Sequence, residues 1–485
     1  MSVARQAAAG IAWNFVAGLA VRALGLAGTL FLTRFVAPAD FGDISAAVVA
    51  VGMATQLANF NLGSYVMTHP TDAAAASQAL VYHVAAIGAA CLGVTLLRDP
   101  IAQSLGSPGM SQYVPWLALS TLLMQASRIP EATLYRALRF RALALTRSVG
   151  EVVYTVVSVS LSPFLRGGAI VAGNLARSAT FTAMIIARSN RSEWLKRPAL
   201  HTSTARDMLK FGAPLSAKSI ADSFAISWDK LLISRFFGTH SMGQYALAFN
   251  LSDLTGQVAD YMGDVLQPSL SRLNVERQRL ALPRVTALMA LVLFPLTAGI
   301  SVVSPVVTAA FLDPRWRDVA PMLSILCLRS VPLPLTWVLG AYFAARRRTQ
   351  PLMYLGVVKL VLIVGCIMAF GRSEPLWACA AVVLASQVYG LAYLWVGWRL
   401  EQLRPKALFA ATVRPLLAAA LMTAAVFAFR AGLAAFLTIP AKVALLLEVG
   451  VGAVAYAGAA LLVARPTVLE FWELVRGVIA RKGVA

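Results

Sequence analysis

The sequence predicts an all-α integral membrane protein made of two similar halves. Hydrophobic residues make up 59% and charged residues 13% of its 485 positions, whereas about a quarter of the residues in a soluble domain are charged. A membrane-spanning helix needs about 20 mainly apolar residues, and such stretches recur along the whole chain. A sequence repeat and an uneven distribution of basic residues predict how these helices are arranged.

About fourteen apolar stretches are long enough to span a bilayer, and short loops with charges, Pro or Gly separate them. The first stretch follows Arg5 and is too long for the apolar core of a signal peptide, so we expect it to stay in the protein as the first span. The predicted spans are 9–33, 43–64, 78–97, 112–127, 143–165, 168–187, 212–236, 243–266, 283–303, 319–344, 351–370, 375–397, 411–430 and 441–463.

The basic residues are concentrated on one side of the predicted membrane. With the N-terminus inside, 27 of the 42 Lys and Arg fall in internal segments, nine in external loops and six inside spans. This distribution follows the positive-inside rule and predicts that both termini are cytoplasmic. Because orientation in the membrane accounts for the formal net charge of +21, we expect no nucleic-acid partner.

The chain repeats itself at an offset of 201 residues. Residues 33–35 (TRF) align with 234–236 (SRF), and 41–42 (FG) align with 242–243 (MG). Six predicted spans separate the matched segments. Since six is even, the two halves have the same orientation and are related by an axis along the membrane normal.

A second match at an offset of 207 supports the same division. It aligns the start of span five with the start of span eleven through Tyr135, Arg139 and Arg141, which match Tyr342, Arg346 and Arg348. The predicted organisation is a six-helix lobe at 1–187, a basic cytoplasmic linker at 188–210, a second six-helix lobe at 211–398, a two-helix appendage at 399–465, and an interfacial helix with the tail at 466–485.

Ionisable residues inside the predicted spans are the candidates for function. Each would cost about 2.5–3.5 kcal/mol at the centre of a lipid-facing helix, so we expect them to face the bundle interior, one another or water. Helical geometry groups several of them. Lys218, Asp222 and Asp229 lie within about 40° on span seven. One stripe on span eight contains Asp253, Gln257, Asp260 and Asp264.

These stripes predict a hydrated cleft with three kinds of side chain. The candidate substrate-binding cations are Arg22, Arg177, Arg329, Lys359 and Lys218. The neutral cleft-lining candidates are Gln56, Asn59, Asn174 and Gln257. The acidic candidates for coupling to H⁺ or Na⁺ are Asp222, Asp229, Asp253, Asp260 and Glu151. Proline residues interrupt span ten just after Arg329 and predict a flexible wall there.

A bundle-packing role is the alternative for each polar residue, because such residues often serve only as hydrogen-bond partners between helices. We expect that role for Asp264, Glu448 and Lys230, which lie near span ends or off the stripes. Glu151 and Lys359 occupy nearly equivalent places in spans five and eleven, so a plain structural pair is also open for them.

Three short motifs accompany the six-six-two order of spans. They are the FG turn after span one, its GTxxxGxYALA counterpart after span seven, and LQPSLSRL at 266–273, where span eight ends. With these motifs, nearly the whole chain resembles the Wzx-type polysaccharide flippases of the multidrug/oligosaccharidyl-lipid/polysaccharide (MOP) exporter superfamily. Peptidoglycan lipid flippases and multidrug and toxin extruders (MATE) belong to the same superfamily.

The resemblance implies a flippase in the bacterial inner membrane. Such a protein moves an undecaprenyl-diphosphate-linked oligosaccharide from the inner to the outer leaflet by alternating access, for polysaccharide biosynthesis. The partners that it implies are membrane lipids, a polysaccharide polymerase and a chain-length regulator, with H⁺ or Na⁺ as coupling ions. Arginine suits a diphosphate because its guanidinium binds phosphate through paired hydrogen bonds.

Other functions stay open at this point. Six cations and seven anions inside the spans also suit a MATE-like cation or drug antiporter, and a peptidoglycan-precursor lipid flippase shares the same architecture. A glycosyltransferase or polymerase would need a sizeable external loop, whereas the longest here has about 15 residues. No phosphate-binding Gly-x-x-x-x-Gly-Lys-Ser/Thr occurs, and the Cys and His spacings match no metal site. We therefore expect no enzyme, cofactor or metal.

The orientation is testable with reporter fusions. We expect a reporter inserted at 346–348 to be cytoplasmic and one inserted beside Asp313 to be periplasmic, since these loops flank span ten. Paired alkaline phosphatase and green fluorescent protein fusions measure this directly. The opposite pattern at both positions would overturn the predicted topology, because the repeat ties all the spans together.

Overall fold

The described part of the chain is built of helices. The computed structural model describes residues 24–68, 73–137, 139–196, 201–271, 274–346, 348–436 and 439–483, and every regular element within these ranges is an α-helix or a 3₁₀ turn. The prediction of an all-α fold is therefore confirmed.

The α-helices are numbered here in chain order. They are α1 (24–32), α2 (Pro38–Leu57), α3 (Leu62–Thr68), α4 (Ala73–Leu96), α5 (Arg98–Ser104), α6 (Val114–Ala126), α7 (Arg128–Arg136), α8 (Phe140–Leu165), α9 (Gly167–Arg188), α10 (Thr202–Ser252), α11 (Leu254–Ser271), α12 (Val275–Phe311), α13 (Val319–Cys327), α14 (Leu333–Ala345), α15 (Thr349–Phe370), α16 (Pro375–Glu401), α17 (Pro405–Phe436), α18 (Ala441–Val463) and α19 (Arg465–Gly483). Short 3₁₀ turns lie at Pro108–Gln112, Arg191–Glu193, Pro314–Trp316 and Leu328–Ser330.

Within the described ranges, nine helices are long and apolar enough to cross a membrane. The number is ten if α2 and α3, which meet at an angle of 55°, form one broken span. These ten correspond to ten of the fourteen predicted spans. The protein is thus a multi-pass membrane protein, and the count of fourteen stays a prediction.

The other four predicted spans differ from the ten in ways that the sequence explains. Span one lies mostly outside the described residues, and span four corresponds to α6, which has only 13 residues. Spans seven and eight lie within the helices α10 and α11. Because of their charged residues, these two helices are less apolar than the ten counted above. A helix that lines water rather than lipid is expected to carry such charges.

Two compact units make up the chain, Met1–Ala246 and Leu247–Ala485. In the first unit, the largest apolar core joins α2, α4, α6 and α9 through residues such as Ile44, Ile87 and Leu117. In the second unit, the largest core joins α11, α12, α14, α15 and α16, with Leu293 and Phe343 fully buried. The division into predicted lobes stays a prediction, because the boundary between the compact units falls inside α10.

The two glycines of the sequence repeat pack against each other in the first unit. A methyl group at Gly42 of α2 would lie 1.9 Å from the carbonyl oxygen of Thr239, and one at Gly243 of α10 would lie 1.8 Å from that of Pro38. A backbone atom cannot move aside for an added methyl group as the end of a flexible side chain can. These positions therefore need glycine, because two helix backbones touch there.

Helix α10 also closely approaches the loop between α2 and α3. The carbonyl oxygen of Phe60 would lie 2.0 Å from a methyl group at Gly212. Next to it, Asn61 adopts a left-handed conformation with φ of 51°, and its amide donates a hydrogen bond to Ser216 Oγ over 3.3 Å. Asparagine tolerates this conformation better than most residues, which explains why the span breaks here.

The predicted interruption of span ten is confirmed. The helix α13 gives way to a 3₁₀ turn at Leu328–Ser330, and α14 starts only after Pro332. Proline removes a backbone donor and clashes with the preceding turn, so it favours a helix start over a helix interior. The predicted C-terminal helix is also present as α19, with Trp472 exposed; its place at the membrane interface stays a prediction.

Substitution of the repeat glycines tests the close packing of α2 and α10. We expect Gly42→Ala and Gly243→Ala each to lower the unfolding midpoint in detergent, because overpacking costs about 1–3 kcal/mol. Gly52→Ala is the matched control on α2, since nothing lies within 4 Å of its added methyl group and alanine favours a helix. Equal midpoints for Gly42→Ala and Gly52→Ala would show that the helices do not touch at Gly42.

Candidate functional site

A polar cavity of about 420 Å³ opens among the helices of the first unit. Its lining comes from α2 and the residues just after it, and from α6, α7, α8 and α9. The lining residues are Gln56, Asn59, Met124, Gln125, Arg128, Glu131, Arg147, Gly150, Glu151, Arg177 and Phe181. Five of these eleven residues are ionisable, which makes the cavity suited to a charged ligand.

Arg177 of α9 is the central cation of this cavity. It donates hydrogen bonds to Glu151 over 3.0 Å and to Asn174 over 2.8 Å, and its guanidinium carbon lies 5.3 Å from the centre of the Tyr154 ring. The Arg177 and Glu151 side chains remain 30% and 36% exposed. The pair is therefore held in place by its neighbours yet is open to a ligand in the cavity.

Close packing of α8 and α9 brings this ion pair together. A methyl group at Gly173 of α9 would lie 1.9 Å from Ser158 Oγ and 3.0 Å from the Tyr154 carbonyl oxygen. At Gly150 of α8, an added methyl group would lie 3.4 Å from Arg177 Cγ. Small residues thus let the two helices approach and leave room for the arginine side chain.

A second acid, Glu131, holds two further arginines at the cavity wall. Its buried carboxylate accepts hydrogen bonds from Arg128 over 3.1 Å and from Arg147 over 3.0 Å. Arg147 also donates to the Tyr135 hydroxyl over 2.5 Å. Both arginine side chains are more than half exposed. Three arginines and two glutamates give the cavity lining a net positive charge.

A smaller cavity of about 260 Å³ adjoins the first. The two cavities share Asn59, Arg128, Glu131 and Arg147. Neutral polar groups complete the smaller one, which is also lined by Asn61, Gly63, Ser64, Met67, Ala132 and Tyr135. Amides and hydroxyls of this kind can both donate and accept hydrogen bonds.

The structure brings together five of the site residues that the sequence predicts in the first half of the chain. Gln56, Asn59, Glu151 and Arg177 line one cavity, and Asn174 binds Arg177. Sequence reasoning missed Arg128, Glu131 and Arg147, because it counted them with the loop that orients the chain. The spacing of Arg128 and Glu131, three residues apart, was the available signal that they share a helix face.

In the second unit, two predicted site residues bind each other. Arg329 donates to Asp253 over 2.7 Å and also lies 4.0 Å from the centre of the Phe249 ring. Gln257 donates to the other oxygen of Asp253 over 3.4 Å. Arg329 is therefore the counter-ion of a residue that the sequence offered as an ion-coupling acid.

The remaining predicted site residues have different surroundings. Asp229 is buried in α10, where it accepts hydrogen bonds from the Tyr245 hydroxyl over 2.5 Å and from the Lys230 backbone over 2.8 Å. The Lys359 ammonium lies 5.6 Å from the centre of the Tyr389 ring, and Asp260 is exposed on α11. Arg22 and the side chains of Lys218, Asp222 and Asp264 lie outside the described residues.

A closed ion pair joins α17 and α18. Arg430 donates to both oxygens of Glu448, over 2.8 and 2.6 Å, and to the backbone oxygen of Val302 over 2.7 Å. The Glu448 side chain is only 2% exposed. Glu448 therefore has the bundle-packing role expected for it, with a partner that the sequence count had placed in an external loop.

Comparison with known proteins gives a consistent family and fold. The polysaccharide biosynthesis protein family matches residues 31–321. The lipopolysaccharide biosynthesis protein WzxC of Escherichia coli is 24% identical over 77% of this chain and 76% of its own length. The succinoglycan biosynthesis transport protein ExoT of Rhizobium meliloti is 21% identical over 85% of this chain and 84% of its own length.

Among solved structures, the fold is similar to that of the lipid II flippase MurJ in an inward closed conformation. The TM-score is 0.77, with 94% of this chain and 99% of that chain covered and 13% sequence identity. At such low identity, the likeness shows the fold alone. It agrees with the all-α membrane architecture that the sequence predicts.

The two arginine–glutamate pairs differ in exposure, and this difference predicts different mutant behaviour. We expect Arg430→Gln to lower the yield of folded protein strongly, because removal of one partner of a buried pair costs about 3–5 kcal/mol. Arg177→Gln should lower it much less, since its partner remains open to the cavity. Size-exclusion chromatography of both variants in detergent measures the folded fraction.

The double variant Arg430→Leu with Glu448→Leu is the control for this comparison. It removes both charges together, so it should recover most of the folded protein lost in Arg430→Gln. An Arg177→Gln variant as unstable as Arg430→Gln would contradict the distinction between an open pair and a closed one.

Proposed function

Because the chain belongs to the polysaccharide biosynthesis protein family, we propose that it flips an undecaprenyl-diphosphate-linked oligosaccharide across the bacterial inner membrane. The observation that carries this proposal is the cavity of the first unit, where Arg128, Arg147 and Arg177 surround one space. Both termini lie in the cytoplasm in this proposal. The polymerase and the chain-length regulator of the same polysaccharide would be its partners.

The chemistry of the cavity suits a diphosphate. A diphosphate cannot enter hydrocarbon without partners for its charge, and guanidinium groups bind phosphate oxygens through paired hydrogen bonds. The volume of about 420 Å³ lies in the usual range of small-molecule sites, about 300–1,000 Å³. The neutral groups of the adjoining cavity, such as Asn59 and Asn61, would contact sugar hydroxyls.

The two glutamates have a separate part in this mechanism. When the cavity holds no substrate, Glu131 and Glu151 neutralise part of the arginine charge, which limits the cost of cations at membrane depth. An arriving diphosphate would bind the exposed faces of Arg147 and Arg177 and replace contacts with the carboxylates. The arginine charge is thus partly neutralised both before and after the diphosphate binds.

Alternating access requires helices that can bend, and several breaks serve that need. Span two breaks beside Asn61, α10 breaks at Gly238 with φ of 75°, and prolines divide span ten. Breaks at glycine and proline are the usual sites of helix bending. We assign the opening and closing of the path to these positions.

Among the acids offered for H⁺ or Na⁺ coupling, Asp229 is the one that we favour. Arg329 already binds Asp253, and Arg177 binds Glu151, so a cation would have to displace an arginine there. Among the described residues, the hydrogen-bond partners of Asp229 are a tyrosine hydroxyl and a backbone N–H. A cation that reaches this carboxylate would therefore not have to displace an arginine.

The net positive lining separates this proposal from a MATE-like antiporter. A cationic drug would meet three arginines against two glutamates, whereas a diphosphate would complete the neutralisation. A peptidoglycan-precursor lipid carries the same diphosphate, so the sugar decides between these two substrates. Accumulation of one lipid-linked oligosaccharide or the other in a deletion strain distinguishes them.

Arg177 gives the sharpest test of diphosphate binding. We expect Arg177→Gln to reduce polysaccharide export about tenfold or more at equal protein level, because a charge-assisted hydrogen bond contributes about 1.5–3 kcal/mol. Arg177→Lys should keep partial export, since it retains the charge but loses the planar fork. Arg22, outside the described residues, should behave in the same way.

Arg191→Gln is the matched control, because this exposed arginine lies outside both cavities. Exported polysaccharide and membrane protein level are measured together for all variants. Equal export from the Gln and Lys forms of Arg177, or a loss of export that follows loss of protein, would end the case for a diphosphate ligand there.

A further inference from the structure

Several arginines converge on one buried acid in the second unit. Glu401 is the last residue of α16, and its side chain is only 2% exposed. The distances from its carboxylate oxygens to the nearest guanidinium nitrogens are 3.0 Å for Arg348, 3.4 Å for Arg346 and 3.5 Å for Arg279. The Tyr342 hydroxyl donates to it over 3.0 Å. We call these five residues the Glu401 cluster.

The Glu401 cluster carries more positive charge than its acid can neutralise. Three guanidinium groups on one carboxylate leave a net charge of about +2 within the cluster, and each guanidinium has five N–H donors. The Arg279 and Arg348 side chains are still 43% and 45% exposed. Several donors therefore point away from the carboxylate, where a second anion can accept them.

The closed pair of Arg430 and Glu448 shows what a purely structural ion pair looks like in the same unit. There one arginine meets one acid through two short bonds of 2.8 and 2.6 Å. In the Glu401 cluster, the contacts are longer and three cations share one acid. Charge balance distinguishes a closed pair from a cluster that has room for a ligand.

The charged residues around the cluster also favour an anion. On α12, Glu276 and Arg277 precede Arg279 and cancel in charge. Near Glu401 along the chain lie three further cations, Arg399, Arg404 and Lys406. These segments are the ones that the positive-inside rule assigns to the cytoplasm. A cation would be repelled here, whereas a phosphate group would be attracted from several directions.

Exposed apolar side chains beside the cluster point to a lipid as the source of that phosphate. Trp398 and Leu400 precede Glu401 and are 51% and 47% exposed, and Phe409 of α17 is 55% exposed. Exposed tryptophan beside basic residues is typical of a helix end at the membrane interface. A free phosphate would gain nothing from this apolar border, while acyl chains would pack on it.

We propose that the Glu401 cluster binds the phosphate of an anionic phospholipid of the inner leaflet. Basic pockets between membrane helices at the cytoplasmic side bind such headgroups, and Arg279 and Arg348 supply bidentate donors. The site shares no residue with the two cavities of the first unit. Lipid binding can therefore be measured without any assay of transport.

The test uses the full-length protein purified in detergent and three probes. Dioleoyl phosphatidylglycerol is titrated against dioleoyl phosphatidylcholine and sodium phosphate, with the unfolding midpoint and native mass spectrometry as readouts. We expect phosphatidylglycerol to raise the midpoint saturably and to remain bound in the spectrometer. Equal effects of phosphatidylcholine would overturn the charge-based site, and an equal effect of sodium phosphate would overturn the lipid as its source.

Variants then locate the site. Arg348→Gln and Arg279→Gln should each weaken phosphatidylglycerol binding about tenfold, or about 1.4 kcal/mol. Arg191→Gln is the matched control, since it removes the same charge from an exposed position of the first unit that is not part of the Glu401 cluster. Equal weakening in all three variants would show a diffuse surface charge instead of a site.

The substitution Glu401→Gln separates lipid binding from simple packing. Without its internal anion, the cluster gains charge, so phosphatidylglycerol should bind at least as tightly as in the wild type and should restore much of any loss in midpoint. A purely structural cluster predicts the reverse, with a lowered midpoint that neither lipid restores. That outcome, or unchanged lipid binding in Arg348→Gln and Arg279→Gln, would overturn the proposal.

Discussion

The intolerance of hydrocarbon for unpaired charge is the constraint on which this structure depends. Within the described residues, Arg177 meets Glu151, Arg329 meets Asp253 and Arg430 meets Glu448, each across two helices or helix segments. Each pair offsets a penalty of a few kcal/mol per exposed charge. The pairs differ in whether they are closed to a ligand. Arg430 and Glu448 satisfy each other, whereas Arg177 and Glu151 remain accessible from a cavity.

Close contacts between backbones place the charged groups where they can pair. Gly173 lets α9 approach the backbone of α8, and this approach brings Arg177 within hydrogen-bond distance of Glu151. Gly42 and Gly243 let the backbones of α2 and α10 approach each other. Gly212 lets α10 approach the backbone of Phe60, just after α2. In a membrane, where water does not drive helices together, small residues at such contacts supply the packing.

The sequence predicted much of the fold because its signals are local or periodic. Apolar length predicted the helices, prolines predicted the break in span ten, and the repeat picked out Gly42 and Gly243, which touch. Gln56 and Asn59, predicted to line a cleft, line the cavity. The pairing of charges was harder to predict, because Arg329 and Asp253 lie 76 residues apart and no periodicity links them.

The roles of charged residues near helix ends were the hardest to predict from the sequence, because such a charge can orient the chain in the membrane or line a cavity. Arg147 and Glu131 belong to a basic segment that orients the chain, and the same segment forms the wall of the cavity. A count of loop charges cannot separate these uses, since orientation depends on the sum and binding depends on geometry. Arg430 shows the same limit: it is the last residue of predicted span thirteen, where it was counted with the external charges, whereas α17 continues to Phe436 and Arg430 binds Glu448 of α18.

The repeat explains why both units place a tyrosine at a basic cluster, and its divergence explains why the clusters differ. Tyr135 and Tyr342 align at an offset of 207. Tyr135 accepts from Arg147 at an open cavity, whereas Tyr342 donates to Glu401 in a compact cluster. The repeat thus places a helix end and its tyrosine at matching positions in the two halves. The acid comes from α7 in one unit and from α16 in the other, so the tyrosine lies at an open cavity in the first unit and beside a buried carboxylate in the second.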